Sequence, residues 1–221
     1  MSKAIGILGG TFNPIHFGHL RMAQELAESL NLNEVRFIPV ANPPHKLVPE
    51  ISAEHRAAMV QLAIAHNPIF SFDNRELTRA GASYTIDTLQ SLRSELGNST
   101  SLILFMGSDA FTQLNTWHRW REIIQLCHIA LAQRPLSHQR PHIAANEPLA
   151  KSLENFLHNH YTENADDLHT SPAGFIIRQK ITALDISSTA IRDTLLHQHS
   201  ANYLLPDNVN DYIHTHQLYC R

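Results

Sequence analysis

The chain has 221 residues, 43% of them hydrophobic and 17% charged, with a formal net charge of −3. That length supports a full-sized core, and the balance excludes the strongly basic footprint of a nucleic-acid binder. Sixteen histidines are an excess, but most are scattered in a way that reads as compositional bias rather than a metal tract. Their titration turns the net charge positive below about pH 6.

Two cysteines, Cys127 and the near-terminal Cys220, lie far apart, which argues against a disulfide framework and for a reducing compartment. The apolar run near the N-terminus, Ile5–Leu8, is too short for a signal-peptide core, and no stretch of about 20 apolar residues follows. A cytoplasmic protein without a membrane partner is expected.

In chain order, Ala4–Leu8 reads as a buried strand and runs into the loop "GGTFNPIHFGH", Gly9 to His19. Leu20, Ala23, Leu26, Ala27 and Leu30 then recur at helical spacing. Val35–Val40 is the next strand, leaving through "ANPPHK". Ala53–His66 is a helix stopped at Asn67-Pro68. Phe70–Phe72 is a short strand, and Thr85–Leu96 a helix closed by Gly97. Leu102–Met106 is an apolar strand leading into "GSDAF", Glu122–Leu126 a helix, and Ile129–Ala132 a strand ending at "QRP". Patterning weakens over residues 136–172, where only Leu149–Leu157 is helical; this reads as an insertion on the rim of a single domain spanning residues 1–221. Phe175–Ile177 is a strand, and Ser188–His197 and Val209–His216 are helices.

Apolar strands alternating with helices predict an α/β fold, a Rossmann-like parallel sheet with helices on both faces. In such sheets ligands collect beyond the carboxyl ends of the strands. The chemically interesting loops, Gly9–His19, Asn42–Lys46, Gly107–Asp109 and Arg134, all fall there, which predicts a single cleft.

Within the first loop, Gly9-Gly10 and Gly18 do not fit the G-x-G-x-x-G dinucleotide fingerprint. A Gly-Gly pair alone would be an ordinary tight turn. His16 and His19 lack the acid of H-E-x-x-H and a third ligand, so a metal site is not expected. Two imidazoles at a helix N-terminus, beside glycines and Thr11, suit a phosphate better. The segment "ISSTAIR", Ile186 to Arg192, reads either as ordinary capping or as a second anion site built from Ser188, Thr189 and Arg192. In "NTWHRW", Trp117 can stack on a flat heterocycle, while Trp120 reads as core. His45 and Lys46 sit on a Pro-Pro turn and are either phosphate contacts or a solvated basic turn.

Taken together, "GGTFNPIHFGH", "PPHK", "SYTIDTL", "GSDAF" followed by "TW", "RP" and "ISSTAIR" resemble, in this order, the bacterial nicotinate-nucleotide adenylyltransferases of the nucleotidyltransferase superfamily. The resemblance spans nearly the whole chain. It implies the nucleotidyltransferase fold and the reaction of ATP with nicotinate mononucleotide to give deamido-NAD and pyrophosphate, with Mg²⁺ accompanying ATP. It also implies ATP contacts from Gly9, Gly10, Thr11, Phe12, His16, His19, Gly107, Asp109, Ser188, Thr189 and Arg192. His16, His19 and Arg192 carry catalysis in that scheme. Thr85 and Trp117 flank the pyridine ring, and His45, Lys46 and Arg134 belong to the substrate side. Many relatives have Asp where this chain has Asn13. The alternatives are a preference for nicotinamide mononucleotide and a non-catalytic nucleotide sensor on the same fold. Within the enzyme class a phosphopantetheine adenylyltransferase is the nearest rival, set apart by the "SYT" and "TW" segments, and a zinc hydrolase is a third hypothesis. The expected partners are small molecules, without nucleic acid, and the sequence leaves room for a homo-oligomer.

Overall fold

A computed structural model describes residues 3–43, 51–133, 149–182 and 184–220. Among them, β1 (Ala4–Gly10), β2 (Val35–Pro39), β3 (Phe70–Phe72), β4 (Ser101–Gly107), β5 (His128–Gln133), β6 (Tyr161–Thr162) and β7 (Ile176–Lys180) form one sheet. Its order is β3-β2-β1-β4-β5-β7-β6, and the paired strands are parallel throughout. The helices are α1 (Phe17–Ser29), α2 (Ala53–Ile64), α3 (Thr85–Leu96), α4 (Ser108–Phe111), α5 (Trp120–Leu126), α6 (Lys151–His160), α7 (Asp167–Thr170), α8 (Ser188–Leu196) and α9 (Asp207–Thr215), with a 3-10 turn at Leu114–Thr116.

The strands are apolar on both sides because both faces are covered. Ile103 and Phe105 of β4 and Ala130 and Ala132 of β5 join one core, with Met22 and Leu26 of α1, Met59 and Val60 of α2, Ile191 of α8 and Val209 of α9. Their neighbours Leu102, Leu104, Met106, Ile129 and Leu131 join the other, with Ile86 and Leu89 of α3, Ile123 of α5 and Leu153 of α6. The two-residue period of the strands thus divides one hydrophobic run between two layers. Trp120 belongs to the second core, its ring edge-on to Phe156 at 5.0 Å.

Most differences from the sequence reading lie at element ends. Gly9 and Gly10 are strand residues, paired with Ile38 and Pro39, so the turn starts at Thr11. The predicted helix at Glu122 starts at Trp120, and the weakly patterned stretch after residue 149 holds α6, β6 and α7. α4, β6 and α7 have only four, two and four residues, too few to show a period. β6 nevertheless pairs with β7 at the sheet edge.

β1 has β2 on one side and β4 on the other. The chain order therefore reverses at β1, and a crevice opens past the carboxyl ends of β1 and β4. Gly10 and Gly107 are the last residues of those two strands.

Candidate active site

The crevice holds a cavity of about 340 Å³. Gly9, Gly10, Thr11 and His19 line one flank; Ser83, Tyr84, Thr85, Thr88 and Trp117 line another, with Gly107 at the floor. The motif residues from three separate loops are therefore brought to one place.

On the first flank, the turn after β1 is built by close contacts. Phe12 takes a left-handed backbone (φ 47°), rare for a side-chain-bearing residue, and buries its ring to 2% exposure. A Cβ on Gly10 would meet that ring at 3.0 Å. Phe12 in turn stands edge-on to His19 at 5.2 Å. His16 is the N-cap of α1 and is 3% exposed. It stacks on His19 with ring centroids 3.8 Å apart. Gly18 leaves room for this stack, because a Cβ there would crowd the His16 ring at 3.0 Å. Of the two imidazoles, His19 lines the cavity and His16 lies behind it as its backing.

Arg56 of α2 fixes this flank from below. It is 1% exposed, and its Nη1 donates to the carbonyls of Thr11 (2.6 Å) and Val40 (2.7 Å), its Nη2 to that of Ala41 (3.2 Å). The exits of β1 and β2 are thus tied to one guanidinium. Burial pulls its pKa below the usual arginine value, with weaker opposition from Tyr219 and Glu54.

The α8 segment meets the same turn from outside. Ser188 Oγ donates to the Pro14 carbonyl (2.9 Å), and Arg192 Nη1 to the Asn13 carbonyl (2.8 Å). Arg192 Nη2 also reaches Thr189 Oγ1 at 3.4 Å. Ser187 caps α8 by accepting from the Ala190 amide. Ser188 and Arg192 of "ISSTAIR" therefore brace the histidine loop, and the cavity wall is formed by others. Asn13 is held twice, since its side-chain Oδ1 accepts from Tyr219 Oη at 2.7 Å. Burial raises the pKa of that phenol, so it stays a donor. Asp109, on α4, is exposed.

The second flank is the first turn of α3. Its N-cap, Tyr84, makes no side-chain cap bond, so the helix presents amide N–H groups and its positive end there. Asn42 straps the preceding loop: the Ser83 amide donates to the Asn42 carbonyl (2.9 Å) and Asn42 Nδ2 to the Gly81 carbonyl (3.0 Å). Tyr84 packs on His118 at 4.5 Å, and Trp117 is half-buried at the mouth. His45, Lys46 and Arg134 lie outside the described residues.

Arg56, Glu76, Thr88, His118 and Tyr219 were not singled out from sequence. Arg56 and Glu76 are charged residues in polar stretches that read as solvated surface. Tyr219 lies 206 positions from its partner, and no local pattern carries that pairing.

The model of the cytidylyltransferase-like family matches residues 7–194. A probable nicotinate-nucleotide adenylyltransferase of Dechloromonas aromatica (strain RCB) is 47% identical over 224 residues, covering 99% of both chains. A protein of the same description from Pseudomonas entomophila (strain L48) is 45% identical over 217 residues, covering 98% of this chain and 95% of its own. The chain belongs to the nicotinate-nucleotide adenylyltransferase family.

A solved nicotinic acid mononucleotide adenylyltransferase of Plasmodium falciparum, complexed with NaAD, superposes with a TM-score of 0.71 at 18% identity, covering 98% of this chain and 97% of its own. At that identity the likeness is one of fold. Among the described residues of this adenylyltransferase-family chain, no cluster of three His, Cys, Asp or Glu side chains is placed to hold a metal ion. No helix among them is long and apolar enough to cross a membrane.

Proposed function

We propose that the cleft transfers the adenylyl group of ATP to nicotinate mononucleotide, forming deamido-NAD and releasing pyrophosphate. The observation that carries this reading is the two-sided cavity at the strand-order reversal. Gly9–Thr11 and His19 make one flank; Thr85 and Trp117 make the other. Family membership over the full chain supports the same reaction.

The attacking group is a phosphate oxygen of the mononucleotide, so no protein nucleophile is needed. It adds to the α-phosphorus of ATP as the bond to the bridging oxygen of the leaving pyrophosphate breaks in line. The protein's part is to position both phosphates and to stabilise charge on the α-phosphoryl oxygens. The backbone N–H of Thr11 and the His19 imidazole are the donors on that flank. His16 acts through its stack on His19, and Arg56 through the carbonyls that set the turn. Ser188, Thr189 and Arg192 lie at the outer end of the loop, where the β- and γ-phosphates of ATP would extend. Trp117 offers its face to the pyridine ring, and the α3 N-terminus offers amide donors to the ring carboxylate.

Nucleotidyltransferases of this kind use a divalent metal with ATP, and we assign Mg²⁺ to that role. Among the described residues no side chains form a cage for it, so it would be held through phosphate oxygens and water, which suits its preference for oxygen ligands. When bound, it screens the triphosphate charge.

The test is pyrophosphate release from MgATP with each mononucleotide. Activity should require the pyridine mononucleotide and favour the nicotinate form. His19→Ala should lower kcat by about 10²–10³, as loss of a transition-state donor does, while thermal stability is retained. Near-normal turnover in that variant would remove His19 from the mechanism. A strong preference for the amide substrate would replace the substrate assignment.

A further inference from the structure

The C-terminal turn reaches the phosphate side of the cleft through one side chain. α9 is docked on α2: its Val209 and Ile213 join the core that includes Met59 and Val60, and Tyr212 Oη pairs with His55 Nδ1 at 2.9 Å. Asn208 Nδ2 donates to the Leu62 carbonyl at 2.7 Å. The helix ends as a Schellman turn, the Leu218 amide donating to the Ile213 carbonyl (2.9 Å) and the Gln217 amide to that of His214 (3.2 Å). Gln217 therefore takes its left-handed backbone (φ 51°) for an ordinary reason.

Tyr219 has no such reason. It lies beyond the helix end and is left-handed as well (φ 62°), a conformation that a bulky residue keeps only where its surroundings impose it. Its Oη donates to Asn13 Oδ1 at 2.7 Å, and its ring packs against the core that holds Phe12 and Ile15. Burial raises the pKa of the phenol while Arg192 and Arg56 oppose the rise, so the hydroxyl lies within electrostatic reach of both guanidiniums. Those two arginines hold the same loop two residues apart, Arg56 at the Thr11 carbonyl and Arg192 at the Asn13 carbonyl. Asn13 is thus the residue at which the C-terminal turn and α8 meet.

The placement matters because Arg192 Nη1 is oriented by the Asn13 carbonyl. An Asn13 fixed at its side chain keeps that guanidinium in register with the loop that carries His19. We propose that Tyr219 is a positioning residue for ATP: its hydroxyl pins Asn13, and through the Asn13 carbonyl it sets the Arg192 guanidinium toward the triphosphate. The chain of contacts runs from the C-terminal turn to α8 through the histidine loop, and it bypasses Thr85 and Trp117 on the mononucleotide flank. Its effect therefore falls on ATP rather than on the mononucleotide. The inference rests on the adenylyl-transfer reading above and names a residue outside the motifs on which the ATP side depends.

The experiment measures KM for each substrate with the other saturating, and MgATP binding by calorimetry, in the wild-type protein, Tyr219→Phe, Asn13→Ala and the double variant. Tyr219→Phe keeps the ring and removes the donor. Loss of one neutral hydrogen bond predicts a rise of about three- to tenfold in KM and Kd for ATP, with KM for nicotinate mononucleotide unchanged. Asn13→Ala should give a similar rise, and Tyr219→Phe should add nothing to it, because the two side chains act as one pair. A merely structural Tyr219 would lower Tm with KM for ATP at the wild-type value, or would raise both KM values together; either result overturns the proposal. Effects that multiply independently in the double variant overturn it as well. If Tyr219→Phe does not fold, Asn13→Ala decides alone, and a wild-type ATP affinity there overturns the proposal. A wild-type protein that binds ATP without turnover removes the adenylyl-transfer reading, while the binding comparison still decides the role of Tyr219; absence of both turnover and ATP binding removes both.

Discussion

Replacing Arg56 by lysine tests whether one buried fork holds the two strand exits that frame the cavity. The guanidinium makes three bonds, to the carbonyls of Thr11, Val40 and Ala41. Lysine preserves the charge and removes the planar fork, and its more strongly hydrated ammonium is harder to bury. On a shorter reach it can satisfy one of these carbonyls, leaving two. A hydrogen bond from a charged donor contributes about 1.5–3 kcal/mol, so losing two, partly offset by relaxation, costs about 2–5 kcal/mol. For a chain of this length each kcal/mol lowers Tm by about 2–4 °C, giving an expected fall of roughly 5–15 °C by calorimetry. The same change frees the Thr11 turn, so KM for ATP should rise together with the fall in Tm. A Tm within about 2 °C of wild type with an unchanged KM for ATP would refute the clamp. A large Tm loss with normal kinetics at low temperature would show that Arg56 stabilises the fold without setting the site.

Other expectations follow from single contacts. Tyr219→Phe removes the donor to Asn13 Oδ1 and should lower stability by about 1 kcal/mol, read as a small drop in Tm; no change would mean that the C-terminal residues do not secure the histidine loop. Cys127 is fully buried, and burial pushes its thiol up to about 12, against a weaker effect of Arg93, whereas Cys220 is exposed. A thiol reagent should therefore label Cys220 alone in the native protein and both cysteines after unfolding, as mass spectrometry would show. His128 is 0% exposed; its Nδ1 accepts from the Phe175 amide and its Nε2 donates to the Ser171 carbonyl. Burial lowers its pKa below 6.5, so the unfolded chain binds a proton that the folded chain refuses. Its stabilising contribution is therefore complete above about pH 6.5 and declines as pH falls below it. His128→Asn, which can still accept from Phe175, should show a shallower loss of Tm on acidification than wild type, and an identical slope would exclude His128 as a source of that loss.

The parts of the fold that were legible in sequence are those where one local pattern had one physical meaning. Leu102–Met106 could be read as a buried strand because a strand covered on both faces is apolar at every position. The end of Thr85–Leu96 could be read because Gly97 follows the last turn with a positive φ of 79°, which glycine adopts without strain. The rim was not legible, since β6 is held by its pairing to β7 and two residues carry no period. The site divides along the same line. Glycines, hydroxyls and histidines at strand ends announced a phosphate-binding cleft, because few other uses bring those residue types together in one turn. The different places of His16 and His19 were not legible. Both belong to the same short motif, and only the start of α1 at Phe17, with Gly18 leaving room for the His16 ring, puts one imidazole in the cavity and the other behind it.

Arg56 and Glu76 mark the deeper limit, because what distinguishes them is burial. An arginine in "AEHRAAM" and a glutamate in "DNREL" look like surface residues, and most such residues are. Here each lies behind a loop that approaches the cleft, one binding carbonyls and the other a threonine hydroxyl. A buried guanidinium beneath the Thr11 turn adds positive potential where a triphosphate would lie. Charge at such sites is informative because burial makes it costly, so a charged residue that persists there without an ion-pair partner is placed by what it does to its neighbours. Asn13 fits the same logic. It stands between the Tyr219 hydroxyl and the Arg192 guanidinium, accepting from one through its side chain and from the other through its backbone. Both bonds need an acceptor at that position and neither needs a negative charge, which is the physical reason an asparagine serves there.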